Sequence, residues 1–156
     1  MRRVSAIAGL VAPVIVLVAA SGTATVAQKN PYRHYTEQNF VQNMQTAGRN
    51  YEAVSAFVAK DDYESAKAQL TRAREQLAIT VTFWRDAKKD DAVRMLRGAL
   101  KGMDDLDVAL SAGKVDPALV QTVSVRITTA CEACHAVYRD RDPASKGFRV
   151  KPGSVR

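Results

Sequence analysis

Residues 116–138 read Asp-Pro-Ala-Leu-Val-Gln-Thr-Val-Ser-Val-Arg-Ile-Thr-Thr-Ala-Cys-Glu-Ala-Cys-His-Ala-Val-Tyr, and this stretch decides the fold. Asp116 is a good N-cap and Pro117 suits the first helical position, where a missing N–H costs nothing. Beyond them Leu119, Val123, Ile127, Ala130, Cys131, Cys134 and Tyr138 recur at helical spacing, which predicts one helix with one apolar seam. Working back along the chain, three more segments repeat the pattern. Phe40, Met44, Ala47, Tyr51, Val54 and Val58 form the first stripe, with Thr36 as its N-cap. The second holds Tyr63, Ala66, Leu70, Ala73, Leu77, Val81 and Trp84, entered through Asp61 with Glu64 as a capping-box partner. The third holds Ala92, Leu96, Ala99, Met103, Leu106 and Leu110, with Gly113 placed to end it.

Alternating steps of three and four residues favour near-parallel helix packing. The links at Lys60-Asp61, Arg85 to Lys89 and Lys114-Val115 are short, and short links make consecutive helices antiparallel neighbours. The expected fold is therefore all-α, an antiparallel up-down-up-down four-helix bundle. Its weakest stretch is Ile79 to Phe83, a β-branched and aromatic run of low helix propensity. The stripe through Leu77, Val81 and Trp84 keeps that run helical in this reading. Residues 143–156 contain Pro143, Gly147, Pro152 and Gly153 among basic residues, and read as a basic tail, with Phe148 and Val150 as its available anchors.

Chain ends and charge narrow the setting. Arg2 and Arg3, the apolar run Ala6 to Ala20 and the small residues through Ala27 have the order of a secretory signal peptide. That run of about 15 residues falls short of the roughly 20 needed to span a membrane. The expected organisation is a leader over 1–27, a domain over 28–142 and the tail over 143–156, in an exported, periplasmic protein with no stable membrane insertion after cleavage. The chain has 23 basic and 16 acidic residues, a net charge of +7. Loss of Arg2 and Arg3 leaves 21 against 16, hence +5. This excess favours acidic partners, while 6% aromatic content and no basic patch with interleaved stacking residues argue against nucleic acid.

Cys131 and Cys134 are the only cysteines, and His135 follows them directly. Cys-x-x-Cys-His is the attachment signature of c-type haem. Two thiols three residues apart lie on one side of a helical turn, where both can add to the vinyl groups of one porphyrin. The next residue then offers an imidazole as axial iron ligand. A disulfide, a redox dithiol and a zinc site compete for the same residues. The dithiol reading wants a βαβ setting, which no strand pattern supplies, and zinc would have to recruit His34 from outside any cluster.

A late Cys-Glu-Ala-Cys-His-Ala-Val-Tyr-Arg motif on the last helix of an exported bundle resembles the class II c-type cytochromes: cytochrome c′ and its low-spin, methionine-ligated relatives. The resemblance covers about Tyr35 to Asp142 and rests mainly on residues 131–139. It implies one covalent haem c, with Cys131 and Cys134 as thioether attachments and His135 as proximal ligand. It also implies that Arg139 lies near the proximal face, where its charge would bias the iron; otherwise Arg139 is a solvated helix-end cation. Met44-Gln45-Thr46-Ala47-Gly48 resembles the stretch that carries the sixth ligand in the low-spin group, although Asn39 and Phe40 stand where an arginine is often found. Met44 is thus a candidate distal ligand, and also an ordinary core methionine, as Met95 and Met103 are.

Three functions follow as expectations. The first is an electron carrier with His135 and Met44 on the iron, serving redox partner proteins of acidic character. The second is a five-coordinate haem protein binding nitric oxide or carbon monoxide, with Met44 only packing. The third is an exported helical dithiol protein without haem. Enzymatic turnover is not expected, since no serine, histidine and aspartate set can be assembled. Pairing of two copies through the first two helices, as in the resembled family, would use Tyr63 and Trp84, which the stripe equally reads as core.

Overall fold

The computed structural model describes residues 35–155, so the leader over 1–27 and His34 lie outside the described residues. Four long helices and one short one dominate: α1 (Glu37–Val58), α2 (Tyr63–Ile79), α3 (Val81–Asp86), α4 (Asp90–Leu110) and α5 (Pro117–Tyr138). α1 packs on α2, α2 on α4, and α4 on α5. The backbones of α1 and α5 scarcely approach one another.

Helix entry follows local chemistry. The Thr36 hydroxyl accepts from the Asn39 amide at 3.1 Å, and the Asn39 side chain accepts from the Thr36 amide at 3.4 Å. Asp116 caps α5 by accepting from the Ala118 amide at 2.9 Å. α2 differs from expectation, because Asp62 and not Asp61 is its cap, accepting from the Ser65 amide at 3.1 Å. Asp61 takes a left-handed φ of 55° to turn the chain, and its carboxylate accepts from the Tyr63 hydroxyl instead. At the far end of α4, Ser111 is the C-cap, and Gly113 falls in the turn beyond it.

The second predicted helix is interrupted at Thr80. Its buried hydroxyl donates to the Leu77 carbonyl at 2.6 Å, and its amide donates to the same oxygen at 3.1 Å. A side chain bonding back into the ladder competes with helix continuation. The chain therefore stops at Ile79 and restarts as α3, which delivers Phe83 and Trp84 to the interior. Trp84 is 1% exposed and hence core, not a pairing face.

The predicted stripes supply most of the core. Every α4 stripe residue is buried, while on α5 Val120 replaces Leu119, which stays 49% exposed. An aromatic group closes one end of the molecule. Phe40 stacks on Phe83 at 4.4 Å, Phe40 meets Trp84 edge-on at 5.1 Å, and Trp84 meets Tyr138 at 4.5 Å. Tyr138 donates its phenolic proton to Asp91 at 2.5 Å, tying α5 to the start of α4.

The residues read as a basic tail hold more structure than expected. β1 (Arg139–Arg141) leaves α5 directly and pairs antiparallel with β2 (Phe148–Val150), with Arg139 opposite Val150 and Arg141 opposite Phe148. Val150 is buried, the Lys151 amide donates to the Tyr138 carbonyl at 2.8 Å, and β2 also touches α1. Of the two expected anchors, Val150 acts as one and Phe148 remains 42% exposed. Among the described residues, no helix is long and apolar enough to cross a membrane.

α4 and α5 meet most closely at Gly102. A Cβ added there would lie 2.7 Å from Cγ1 of Ile127, a fully buried side chain. Gly102→Ala gains helix propensity of about 1 kcal/mol but forces a displacement that typically costs about 1–3 kcal/mol. The expected outcome is net destabilisation, read as a lower urea midpoint with an unchanged slope.

Candidate functional site

α5 divides its circumference between two neighbours. Val120, Val123, Ile127, Cys134 and Tyr138 are buried, and α5 packs against α4. Ser124, Thr128, Cys131 and His135 recur at steps of four, three and four on the flank beside it, which turns toward α1. A hydrogen bond between α1 and α5 lies on this flank: the Tyr51 hydroxyl donates to the Ser124 carbonyl at 3.2 Å. Burial raises the Tyr51 phenol above its ordinary value, while Ser124 and Thr128 pull it down and Cys131 pushes it up. Tyr51 thus stands beside the first cysteine.

The facing side of α1 is similarly sparse. By helical register Val41, Met44, Gly48 and Tyr51 share the side that carries Tyr51. Met44 is half-buried against the core. Gly48 is exposed, and a Cβ added there would meet nothing within 4 Å. Val41, Met44, Gly48 and Tyr51 of α1 thus face the α5 flank that carries Ser124, Thr128, Cys131 and His135.

The electrostatics favour neutral forms at this turn. Burial, then the Cys131 and Asp91 charges, push the Cys134 thiol up to about 11. Burial, then Glu132, raises Cys131 too. Both cysteines are free. A redox dithiol works through a thiol whose pKa is lowered, and here both are raised. Among the described residues no cluster of three or more His, Cys, Asp or Glu side chains could hold a metal ion. Burial, then the Arg139 charge, push His135 down to about 4, which keeps its imidazole an unprotonated lone-pair donor at neutral pH. Two free thiols and an unprotonated imidazole one residue on are the donor set that thioether attachment and axial ligation of a haem would use.

His135 also borders a shallow depression of about 350 Å³, which it shares with Ala136, Arg139, Arg141 and Phe148. The Arg139 amide donates to the His135 carbonyl and so ends α5. Its guanidinium lies over the Phe148 ring, 4.2 Å from the centroid. Cys131, Cys134, His135 and Arg139 thus occupy one end of α5, whereas Met44 belongs to the opposite wall. Sequence reasoning placed Tyr51 on the first helical stripe and Gly48 beside Met44 but passed over Ser124 and Thr128, although the spacing of Ser124, Thr128, Cys131 and His135 was legible. Phe148 gave no local signal, because its partner is set by hairpin register.

No family model, no characterised protein and no solved structure matches this chain.

The low proton affinity of His135 has a measurable sign. Between about pH 6.5 and 4 the unfolded chain takes a proton that the folded chain refuses. In the haem-free protein this contribution leaves stability level above that window and lowers it on acidification through the window. In His135→Gln the corresponding part of the slope is expected to vanish, as read from urea midpoints against pH.

Proposed function

We propose that this protein is an exported c-type cytochrome that carries electrons, with one haem c bonded through Cys131 and Cys134 and held axially by His135 and Met44. The observation that carries the reading is the Cys131–His135 turn, two free cysteines followed by an unprotonated imidazole at the end of α5. When bound, the haem iron supplies a one-electron ferrous–ferric cycle. The protein's part is to position the ring, exclude water and set the iron's potential through its ligands and nearby charges.

Two ties support an antiparallel α1 and α5, and with it the up-down-up-down bundle. Tyr51, in the second half of α1, meets Ser124 in the first half of α5, while Phe40, earlier in α1, reaches Tyr138 at the end of α5 through Trp84. Interpolated between these ties, Met44 comes level with the stretch between Cys131 and Cys134, within a helical turn of His135, which supports it as the distal ligand. A thioether there favours the ferrous state and suits electron transfer. Support for export comes from the order of basic start, apolar run and small residues over 1–27. The +5 charge left after loss of Arg2 and Arg3 (21 basic against 16 acidic residues) supports redox partners of acidic character.

Produced with a competent haem-attachment system, the protein is expected to stain for haem after denaturing electrophoresis and to show low-spin spectra in both oxidation states. Cys131→Ser or Cys134→Ser should weaken attachment. Met44→Ala should convert the ferric protein to high spin and lower its potential. A colourless product at apoprotein mass overturns the cytochrome reading. A high-spin wild-type spectrum unchanged in Met44→Ala overturns the carrier ligation and favours the gas-binding alternative.

A further inference from the structure

We propose that Phe148 is a positioning residue whose ring holds the Arg139 guanidinium beside His135 and thereby sets the potential of iron bound there. This rests on the haem reading above and extends it to a segment that reads, in sequence, as a solvated tail.

The geometry begins at the end of α5. Arg139 lies one helical turn beyond His135, and its amide is bonded to the His135 carbonyl, so its backbone is fixed relative to the imidazole. Its side chain is long and exposed and, left to itself, would spread among many rotamers in water. The hairpin removes that freedom. Register puts Phe148 directly opposite Arg141 and diagonal to Arg139, and diagonal neighbours lie within reach of aromatic and long side chains. The ring centroid is 4.2 Å from the Arg139 guanidinium carbon and 5.3 Å from that of Arg141, both within cation–π range. The strand carrying the ring is itself anchored. Val150 is buried, the Lys151 amide is bonded to Tyr138, and Arg149 pairs with Asp140 at 3.5 Å.

The turn that returns the strand is equally defined. The Asp142 amide donates to the Gly147 carbonyl at 3.0 Å, and the Asp142 carboxylate accepts from the Ala144 amide and the Ser145 hydroxyl. Phe148 therefore arrives at a fixed place on the wall of the depression that His135 borders. A cation held there favours the ferrous over the more positive ferric state and raises the potential. A cation released to solvent does so less, because distance, water and salt weaken its field.

The test compares reduction potentials of the haem-bearing wild type, Phe148→Leu, Phe148→Tyr, Arg139→Gln and the Arg139→Gln/Phe148→Leu double variant. Phe148→Leu and Arg139→Gln should each lower the potential, and Phe148→Tyr, which keeps a ring, should retain it. The double variant should match Arg139→Gln alone, since the ring acts through the guanidinium. An unchanged potential in Phe148→Leu overturns the inference, as does a double-variant shift equal to the sum of the single shifts. A second measurement is independent of haem: in nuclear magnetic resonance spectra of the full chain, the Arg139 Nε–H signal should be displaced by the Phe148 ring current. The displacement should be lost in Phe148→Leu, and identical signals in the two proteins overturn the clamp. Absence of covalent haem, by contrast, defeats the cytochrome reading while leaving this resonance to decide the clamp.

Discussion

α5 must satisfy two neighbours of different character, and the architecture depends on how it does so. Val120, Val123 and Ile127 face inward, with Ile127 lying against Gly102 of α4. Its Ser124–His135 flank offers hydroxyls, a thiol and an imidazole where a bundle ordinarily places leucine or valine. Such a flank cannot bind α1 by apolar burial, because the area to be removed from water is small. α1 accordingly takes most of its packing from α2, helped by the Asn43 amide donating to Gln76 at 3.0 Å. The thinly packed seam is a direct outcome of what the two helices present to each other.

The seam is closed at one end by aromatic mass and not by helix contact. Phe40, Phe83, Trp84 and Tyr138 bring α1, α3 and α5 together, and aromatic pairs of this kind contribute about 0.5–1.5 kcal/mol each beyond their buried area. The break at Thr80 bears on this arrangement, since α3 carries Phe83 and Trp84 into the group. The C-terminal hairpin then covers the same end, docking Val150 inside and leaving its cations outside. Structural order is thus concentrated around the Cys131–His135 turn, while the opposite end of the seam is held by the Tyr51 hydroxyl.

Much of this was legible in the residues. The buried Phe40, Val54, Leu70, Leu77, Leu96 and Leu106 all fall on predicted stripes, and Thr36 and Asp116 cap as their chemistry requires. The misses share a cause: each turned on a choice between adjacent residues or on a distant partner. Asp61 and Asp62 are chemically identical candidates, and only the left-handed turn at Asp61 passes the cap to its neighbour. Leu119 and Val120 compete for one inward position, and helix rotation decides for Val120. The hairpin was hidden because three-residue strands beside proline and glycine carry too little alternation to register. At the site, the cysteines and histidine were evident from spacing, whereas Phe148 over Arg139 depends on pairing across a loop.

The open flank of α1 carries a mechanical consequence. α1 with α2 and α4 with α5 are two leaves bound along the α2–α4 spine, where Arg74 and Asp104 clasp them. At the Tyr51 edge the leaves are latched by one hydrogen bond to a carbonyl, worth about 1 kcal/mol. Thermal energy is sufficient to lift such a latch while the spine and the aromatic corner stay shut. The α1–α5 edge is thus the compliant side of the molecule and the α2–α4 spine the stiff one.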